Sequence, residues 1–190
     1  MQSVYTEDTI QAYLQEIKKI DVVQNLHDMT WAFCLSTELW EKFKDFPVTV
    51  CFDQMRKVKY FASDNCSLSK EVDDLPEKQG GIYIYSIENN LLPLGSYIMY
   101  VGRAEKTETH NLKVRAKSHY NNYRRHEENE RLERVFDHWK PYVYISYLPI
   151  DKNDVIDLVE QQLIMALTPP CNKMYPSPRV RRKLSAFQYS

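Results

Sequence analysis

The chain has 190 residues, of which 43% are hydrophobic and 27% charged, a balance typical of one globular domain with an extension or of two small domains. No apolar run is longer than five residues, whereas a membrane-spanning helix needs about 20, so the composition excludes such a helix. The N-terminus has no basic flank followed by an apolar stretch, so we expect no secretory signal and a cytoplasmic location.

The net charge of −1 conceals an uneven distribution. Residues 1–80 carry a net charge of −5, residues 81–170 carry −1, and residues 171–190 carry +5. A local positive surface attracts phosphates even when the total charge is near zero. We therefore expect the basic tail, residues 176–190, to contact nucleic acid, but not indiscriminate coating of it.

The cysteines do not indicate a zinc site or a disulfide framework. They are widely spaced, without a Cys-x-x-Cys pair or a histidine at zinc-finger spacing. We expect reduced thiols in or near the core at Cys34, Cys51, Cys66 and Cys171.

The first part of the chain is expected to be a mainly helical extension, residues 1–64. Apolar residues recur at helical spacing over residues 6–20, and a second helical pattern covers residues 36–46. Residues 47–62 are rich in Val, Phe and Tyr and are compatible with a strand. Residues 65–79 lose both periodicities and gather Asp, Asn, Ser and Pro, which indicates a loop or linker.

The middle of the chain has a different pattern. All four glycines lie between Gly80 and Gly102, which indicates backbone that turns sharply or approaches another group closely. Alternating apolar residues predict strands over residues 81–87, 96–103 and 141–148, the first two joined by a long hairpin loop.

Helices are expected around the third strand. A charge-laced helical pattern covers residues 112–138, before that strand. A further helix follows the strand, with Asp151 or Asp154 as its N-cap, and ends at Leu167 before two prolines.

One acid on the last helix breaks its pattern. The helical neighbours of Glu160 include Ile156, Leu163 and Ile164, so the carboxylate sits among large apolar groups. Burying a charge there costs several kcal/mol unless a cation or a set of donors compensates it. Alternatively, Glu160 reaches solvent from the edge of the face or pairs with a lysine.

Two further sets of residues have both a chemical and a structural interpretation. Arg115 and His119 lie at i and i+4, about 6 Å apart on one helical face, which favours an anion facing them; a solvated face is the alternative. Tyr83 and Tyr85 share one strand face, and Tyr100 shares a face with Gly102 on the next strand; here the alternative is core packing.

Taken in order, these residues resemble the signature of the GIY-YIG nucleases. The first motif of that signature, GIY, is intact at residues 81–83. The second motif, YIG in the family name, reads YVG at residues 100–102, a conservative change at its middle position. The stretch EQQLIMALTPPCN resembles the C-terminal segment of the GIY-YIG type II restriction enzymes, as does Arg103, where those enzymes often carry Lys. The resemblance covers about residues 80–175, and its elements are Gly81-Ile82-Tyr83, Tyr100-Val101-Gly102, Arg115-x-x-x-His119, Glu160 and Asn172.

The resemblance implies an α+β fold. A small central antiparallel three-stranded sheet flanked by helices would form a nuclease domain over residues 80–175. The implied activity is hydrolysis of phosphodiester bonds in double-stranded DNA by a restriction-type endonuclease. The alternatives are a DNA repair or mobile-element nuclease, an idle nucleic-acid-binding module, and a protein whose tyrosines only form a core. Cleavage of RNA instead of DNA is a further alternative. Cutting both strands of a palindrome would imply a homodimer.

The resemblance also implies the site residues. Glu160 is expected to hold one Mg²⁺ or Mn²⁺ ion, and Arg115 to grip phosphate oxygens. Tyr83 would orient or deprotonate the attacking water with help from a partner, because its free pKa of about 10 is too high for a base at neutral pH. His119 is the alternative proton shuttle. The expected catalytic set is Tyr83, Tyr100, Arg115, His119, Glu160 and Asn172, and the expected substrate-binding set is Gly102, Arg103, Lys113, Lys117 and Lys173.

Overall fold

The computed structural model describes residues 37–44, 51–64, 66–88 and 95–173, all in the second of the two units into which the chain divides, Ala32–Ser190. The predicted helix over residues 6–20 and the basic tail lie outside the described residues. No helix in the described ranges is long and apolar enough to cross a membrane. The elements are α1 (Thr37–Lys44), β1 (Arg56–Lys59), β2 (Gly80–Glu88), β3 (Ser96–Ala104), α2 (Leu112–Arg124), α3 (Glu130–Trp139), β4 (Val143–Ile150) and α4 (Asn153–Leu167), with 3₁₀ helices at Phe52–Gln54, Lys70–Asp74 and Lys140–Tyr142.

The strands form one antiparallel sheet in the order β1-β4-β2-β3. The α+β class is confirmed, but the prediction of three strands is wrong, because β1 adds a fourth by pairing Arg56 with Tyr147 and Lys59 with Tyr144. β1 lies within residues 47–62, whose composition is compatible with a strand, although its own sequence, RKVK, has no apolar alternation. Short, charged strands of this kind are common at sheet edges, where they discourage further pairing.

The helical region predicted over residues 112–138 forms two helices. The side chain of Asn111 caps α2 by accepting a hydrogen bond from the Val114 N–H at 2.9 Å, and Asn129 caps α3 in the same way. Between the two helices the backbone turns at His126, where φ is 58°. This turn, Arg125 to Asn129, includes Glu128.

Two smaller predictions are corrected. The N-cap of α4 is Lys152, which provides no side-chain cap, so neither Asp151 nor Asp154 caps this helix. Of the three described cysteines, only Cys171 is buried; Cys51 and Cys66 are exposed, and all three are free thiols.

The two faces of the sheet carry different cores. Because successive side chains of a strand point to opposite faces, Ile82 and Ile84 lie against α4, whereas Tyr83 and Tyr85 lie on the other side. There Tyr85 packs on Phe136 of α3, with ring centroids 5.4 Å apart, and on His119 of α2 at 5.5 Å. The face that carries Tyr83 is therefore the one that α2 and α3 cover.

Candidate active site

The hydroxyl of Tyr83 on β2 contacts two side chains of α2. Its oxygen lies 2.8 Å from His119 Nε2, and Arg115 Nε donates a hydrogen bond to it at 3.2 Å. Tyr83 is 1% and His119 3% exposed, so both side chains of this contact are buried. The structure thus brings together three of the predicted catalytic residues, which come from β2 and one face of α2.

Glu128 extends this group and was missed by the sequence analysis. Its Oε2 lies 2.6 Å from His119 Nδ1, and its Oε1 accepts a hydrogen bond from the Asn129 N–H at 2.8 Å. The side chain is 6% exposed. Glu128 lies in the turn between α2 and α3, within the acid-rich sequence EENE, where no periodicity distinguishes it from solvated neighbours.

The His119–Glu128 pair consists of a neutral imidazole and an ionised carboxylate at pH 7. Burial lowers the pKa of His119 below its usual 6.5; the hydrogen bond to Glu128 opposes this shift, and Arg115 adds to it. Burial raises the pKa of Glu128, but the hydrogen bonds from His119 and the Asn129 N–H outweigh it and hold that pKa below its usual value.

The two tyrosines nearest to the site keep their protons. The rings of Tyr83 and Tyr100 are stacked, with centroids 6.2 Å apart. Burial raises the pKa of Tyr83 well above 10 and also raises the pKa of Tyr100, and Arg115 opposes both shifts without cancelling them. Tyr83 therefore accepts a proton only if it passes its own to a neighbouring base, and His119 is in contact with it.

Glu160 is compensated by an arginine. Arg103 Nε lies 3.5 Å from Glu160 Oε2, and the same guanidinium pairs with Asp157, one helical turn earlier. Burial raises the pKa of Glu160 above 4.5; Arg103 lowers it, Asp157 raises it and Arg115 lowers it. Glu160 also interacts electrostatically with Tyr100 and Arg115, although α4 packs against the face of the sheet opposite Tyr83.

The acids on α4 suit one kind of metal ion. Mg²⁺ commonly binds through one or two carboxylates and keeps several waters, and Glu160, with Asp157 one turn away, provides such donors. A structural zinc site needs four protein ligands. Within the four described ranges, no group of three or more His, Cys, Asp or Glu residues is placed to hold a metal. Glu160 and Asp157 thus offer two carboxylates, and both of them pair with Arg103 in this structure.

Gly102 makes room for the Tyr83 hydroxyl. Gly102 and Tyr83 are direct partners across β2 and β3. A Cβ atom at position 102 would collide with the Tyr83 hydroxyl and would lie 2.7 Å from Tyr100 Cε1. Glycine at this position therefore allows the hydroxyl to reach Arg115 and His119.

Asn172 binds the edge of β3 rather than a pocket. Its Oδ1 accepts a hydrogen bond from the Val101 N–H at 3.0 Å, and its Nδ2 donates to the Val101 carbonyl at 2.8 Å. The Cys171 N–H donates to the Met99 carbonyl at 2.9 Å, so the segment after α4 continues this pairing. Asn172, which was predicted to be catalytic, thus binds the backbone of Val101, the residue between Tyr100 and Gly102.

The predicted lysine contacts lie away from this centre. Lys113 Nζ is 2.8 Å from Glu77 Oε1, and Lys117 Nζ is 2.7 Å from Asp73 Oδ1. A phosphate reaching either lysine would have to compete with these acids. Lys173 is exposed and directly follows Asn172.

Comparison with known proteins finds no matching family model, curated protein or solved structure. The GIY-YIG assignment therefore depends on the signature residues and their geometry, and it stays a prediction.

Proposed function

We propose that the chain is a metal-dependent endonuclease that hydrolyses phosphodiester bonds in double-stranded DNA, of the restriction type. The observation that best supports this proposal is the contact of Arg115 and His119 with one hydroxyl, that of Tyr83. Such a hydrolysis needs a ligand for the phosphate, a hydroxyl that relays a proton from the attacking water, and a base that accepts that proton. Arg115, Tyr83 and His119 are the candidates for these three roles, in that order.

The proposed proton route runs from water to His119. The water oxygen bonds to phosphorus as the bond from phosphorus to one ester oxygen breaks. The proton of the water passes to the Tyr83 oxygen while the Tyr83 proton passes to His119 Nε2. The leaving oxygen takes a proton from solvent, which gives one hydroxyl end and one phosphate end. A positioned base contributes about 10²- to 10⁴-fold to such a rate.

Charge stabilisation would supply most of the remaining acceleration. The guanidinium of Arg115 is a planar fork that suits two phosphate oxygens better than a lysine does. Glu160 would hold Mg²⁺ or Mn²⁺, which when bound neutralises charge on the phosphate. Arg103 on β3 is a second phosphate contact in this proposal, for which a phosphate would have to compete with Glu105, Asp157 and Glu160.

Fragment analysis distinguishes the alternatives. Plasmid or phage DNA is incubated with the full chain, with and without Mg²⁺, and the fragment ends are mapped. Discrete ends support a restriction enzyme, in which case cutting of a palindrome predicts a homodimer. Scattered ends indicate nonspecific cutting, and binding without cleavage favours the idle module. RNA is included as a second substrate.

Glu160→Ala tests the metal assignment. We expect this variant to lose cleavage in Mg²⁺ while keeping DNA binding, measured by fluorescence anisotropy. Asp154→Ala is the matched control, because it removes an exposed acid from the same helix. Full cleavage by Glu160→Ala, or equal losses in both variants, would contradict the role of Glu160.

A further inference from the structure

We infer that Glu128 is a positioning residue: it holds His119 in the tautomer that carries its proton on Nδ1, so that Nε2 accepts the proton of Tyr83. The catalytic consequence depends on the proposed nuclease function. The tautomer does not depend on it, and the tautomer can be measured without any substrate.

The hydrogen bonds assign the direction of each proton. An ionised carboxylate is only an acceptor, so the 2.6 Å contact between Glu128 Oε2 and His119 Nδ1 requires a proton on Nδ1. A neutral imidazole has one N–H, so Nε2 is left as an acceptor, and the Tyr83 hydroxyl donates to it across 2.8 Å. The Tyr83 oxygen in turn accepts from Arg115 Nε. Donors and acceptors thus alternate from Arg115 to Glu128.

The surroundings keep this pair in place. His119 is enclosed by the rings of Tyr83 and Tyr85 from β2 and of Tyr100 from β3, with Arg115 on its own helix. The second carboxylate oxygen of Glu128 is fixed by the Asn129 N–H. Glu128 is therefore the acid placed against Nδ1, and its orientation is set at both oxygens.

Glu128→Gln reverses the polarity at His119 with little change in shape. Glutamine has one acceptor and one donor, and the Asn129 N–H needs the acceptor. Its NH₂ group then faces Nδ1, which moves the imidazole proton to Nε2. A protonated Nε2 cannot accept from Tyr83. If the function is as proposed, we expect cleavage to fall by about 10²-fold or more.

The tautomer is measured by NMR on the full chain labelled with ¹⁵N-histidine, with circular dichroism as the check of folding. We expect a protonated Nδ1 and an unprotonated Nε2 in wild-type His119 at pH 7.5, and the reverse in Glu128→Gln. Glu133→Gln is the matched control, because Glu133 bonds His126 Nδ1 at 2.7 Å, where the histidine side chain is 82% exposed. This variant should leave the His119 signals unchanged.

Three NMR results would overturn the inference: a proton on Nε2 in the wild type, protons on both nitrogens, or the wild-type tautomer retained in Glu128→Gln. Should the variant fail to fold, the wild-type spectrum still decides the tautomer.

Single-turnover cleavage in Mg²⁺ then separates the two proposals. A wild type with the expected tautomer that cuts no nucleic acid refutes the nuclease function alone. A reversed tautomer with undiminished cleavage refutes the catalytic role of Glu128.

Discussion

Arg103 and Glu160 form an ion pair at the edge of the sheet, with Arg103 Nε 3.5 Å from Glu160 Oε2. The two residues come from β3 and α4, and Asp157 shares the same guanidinium. Arg103 therefore neutralises the acid that the GIY-YIG resemblance assigns to the metal. A divalent cation at Glu160 would have to compete with this pairing.

Arg103→Gln should tighten Mn²⁺ binding. The variant removes the cation that pairs with Asp157 and Glu160. A partly exposed ion pair is worth about 0.2–1 kcal/mol, so the dissociation constant should fall by about fivefold at most. Calorimetric titration with Mn²⁺ measures it. Lys106→Gln, which removes an exposed partner of Asp151, is the control and should change nothing. Weaker Mn²⁺ binding by Arg103→Gln would show that Arg103 does not compete.

Gly102→Ala should impair the site more than the fold. The added Cβ meets the hydroxyl of Tyr83, which has to leave Arg115 and His119. We expect a loss of stability of about 1–3 kcal/mol, as is usual for overpacking, together with loss of cleavage. Urea unfolding and a plasmid assay measure the two effects. Wild-type cleavage by Gly102→Ala would contradict the placement of the hydroxyl.

Asn172→Ala should destabilise the chain by about 1–3 kcal/mol, because it leaves the buried N–H and carbonyl of Val101 without these partners. Asn153→Ala is the matched control. Asn153 makes the same pair of hydrogen bonds with the Lys106 backbone in an exposed position, where water replaces them. The difference in urea midpoints tests this expectation, and equal losses in both variants would count against it.

His119 should make the stability depend on pH below about 6.5. Its pKa is lowered by burial in the folded chain, so the unfolded chain takes up the proton first as the pH falls. The contribution of His119 to the free energy of unfolding is therefore complete above pH 6.5. It declines as the pH falls toward the pKa of His119 in the folded chain, by at most about 1.4 kcal/mol per pH unit. Urea unfolding at pH 7.5 to 5 compares wild type with His119→Gln. Parallel curves for the two proteins would contradict a lowered pKa.

Much of the site follows from local periodicity. The two-residue period of β2 places Tyr83 on the face opposite Ile82, and the i, i+4 spacing places Arg115 beside His119. These rules say which side chains share a face. The alternation of apolar residues likewise predicts β2 and β3, because each strand has one side-chain face in each of the two cores.

The parts that the sequence does not reveal depend on long-range contacts. The composition of residues 47–62 is compatible with a strand, but it does not show that β1 pairs with β4, 85 to 91 positions later. Glu128 lies in a turn, and only the path of the chain between α2 and α3 brings it to His119. Arg103 and Glu160 meet because α4 packs beside β3, a relationship that no local pattern encodes.

The most direct test of the central claim compares Tyr83→Phe with Tyr85→Phe in single-turnover cleavage of DNA in Mg²⁺. Both tyrosines are buried on one face of β2, but only the Tyr83 hydroxyl contacts Arg115 and His119, whereas Tyr85 packs against Tyr60 and Phe136. We predict that Tyr83→Phe lowers the rate by about 10²-fold or more and that Tyr85→Phe stays within about fivefold of wild type. Equal rates in the two variants, with both folded, would contradict a reactive centre at Tyr83.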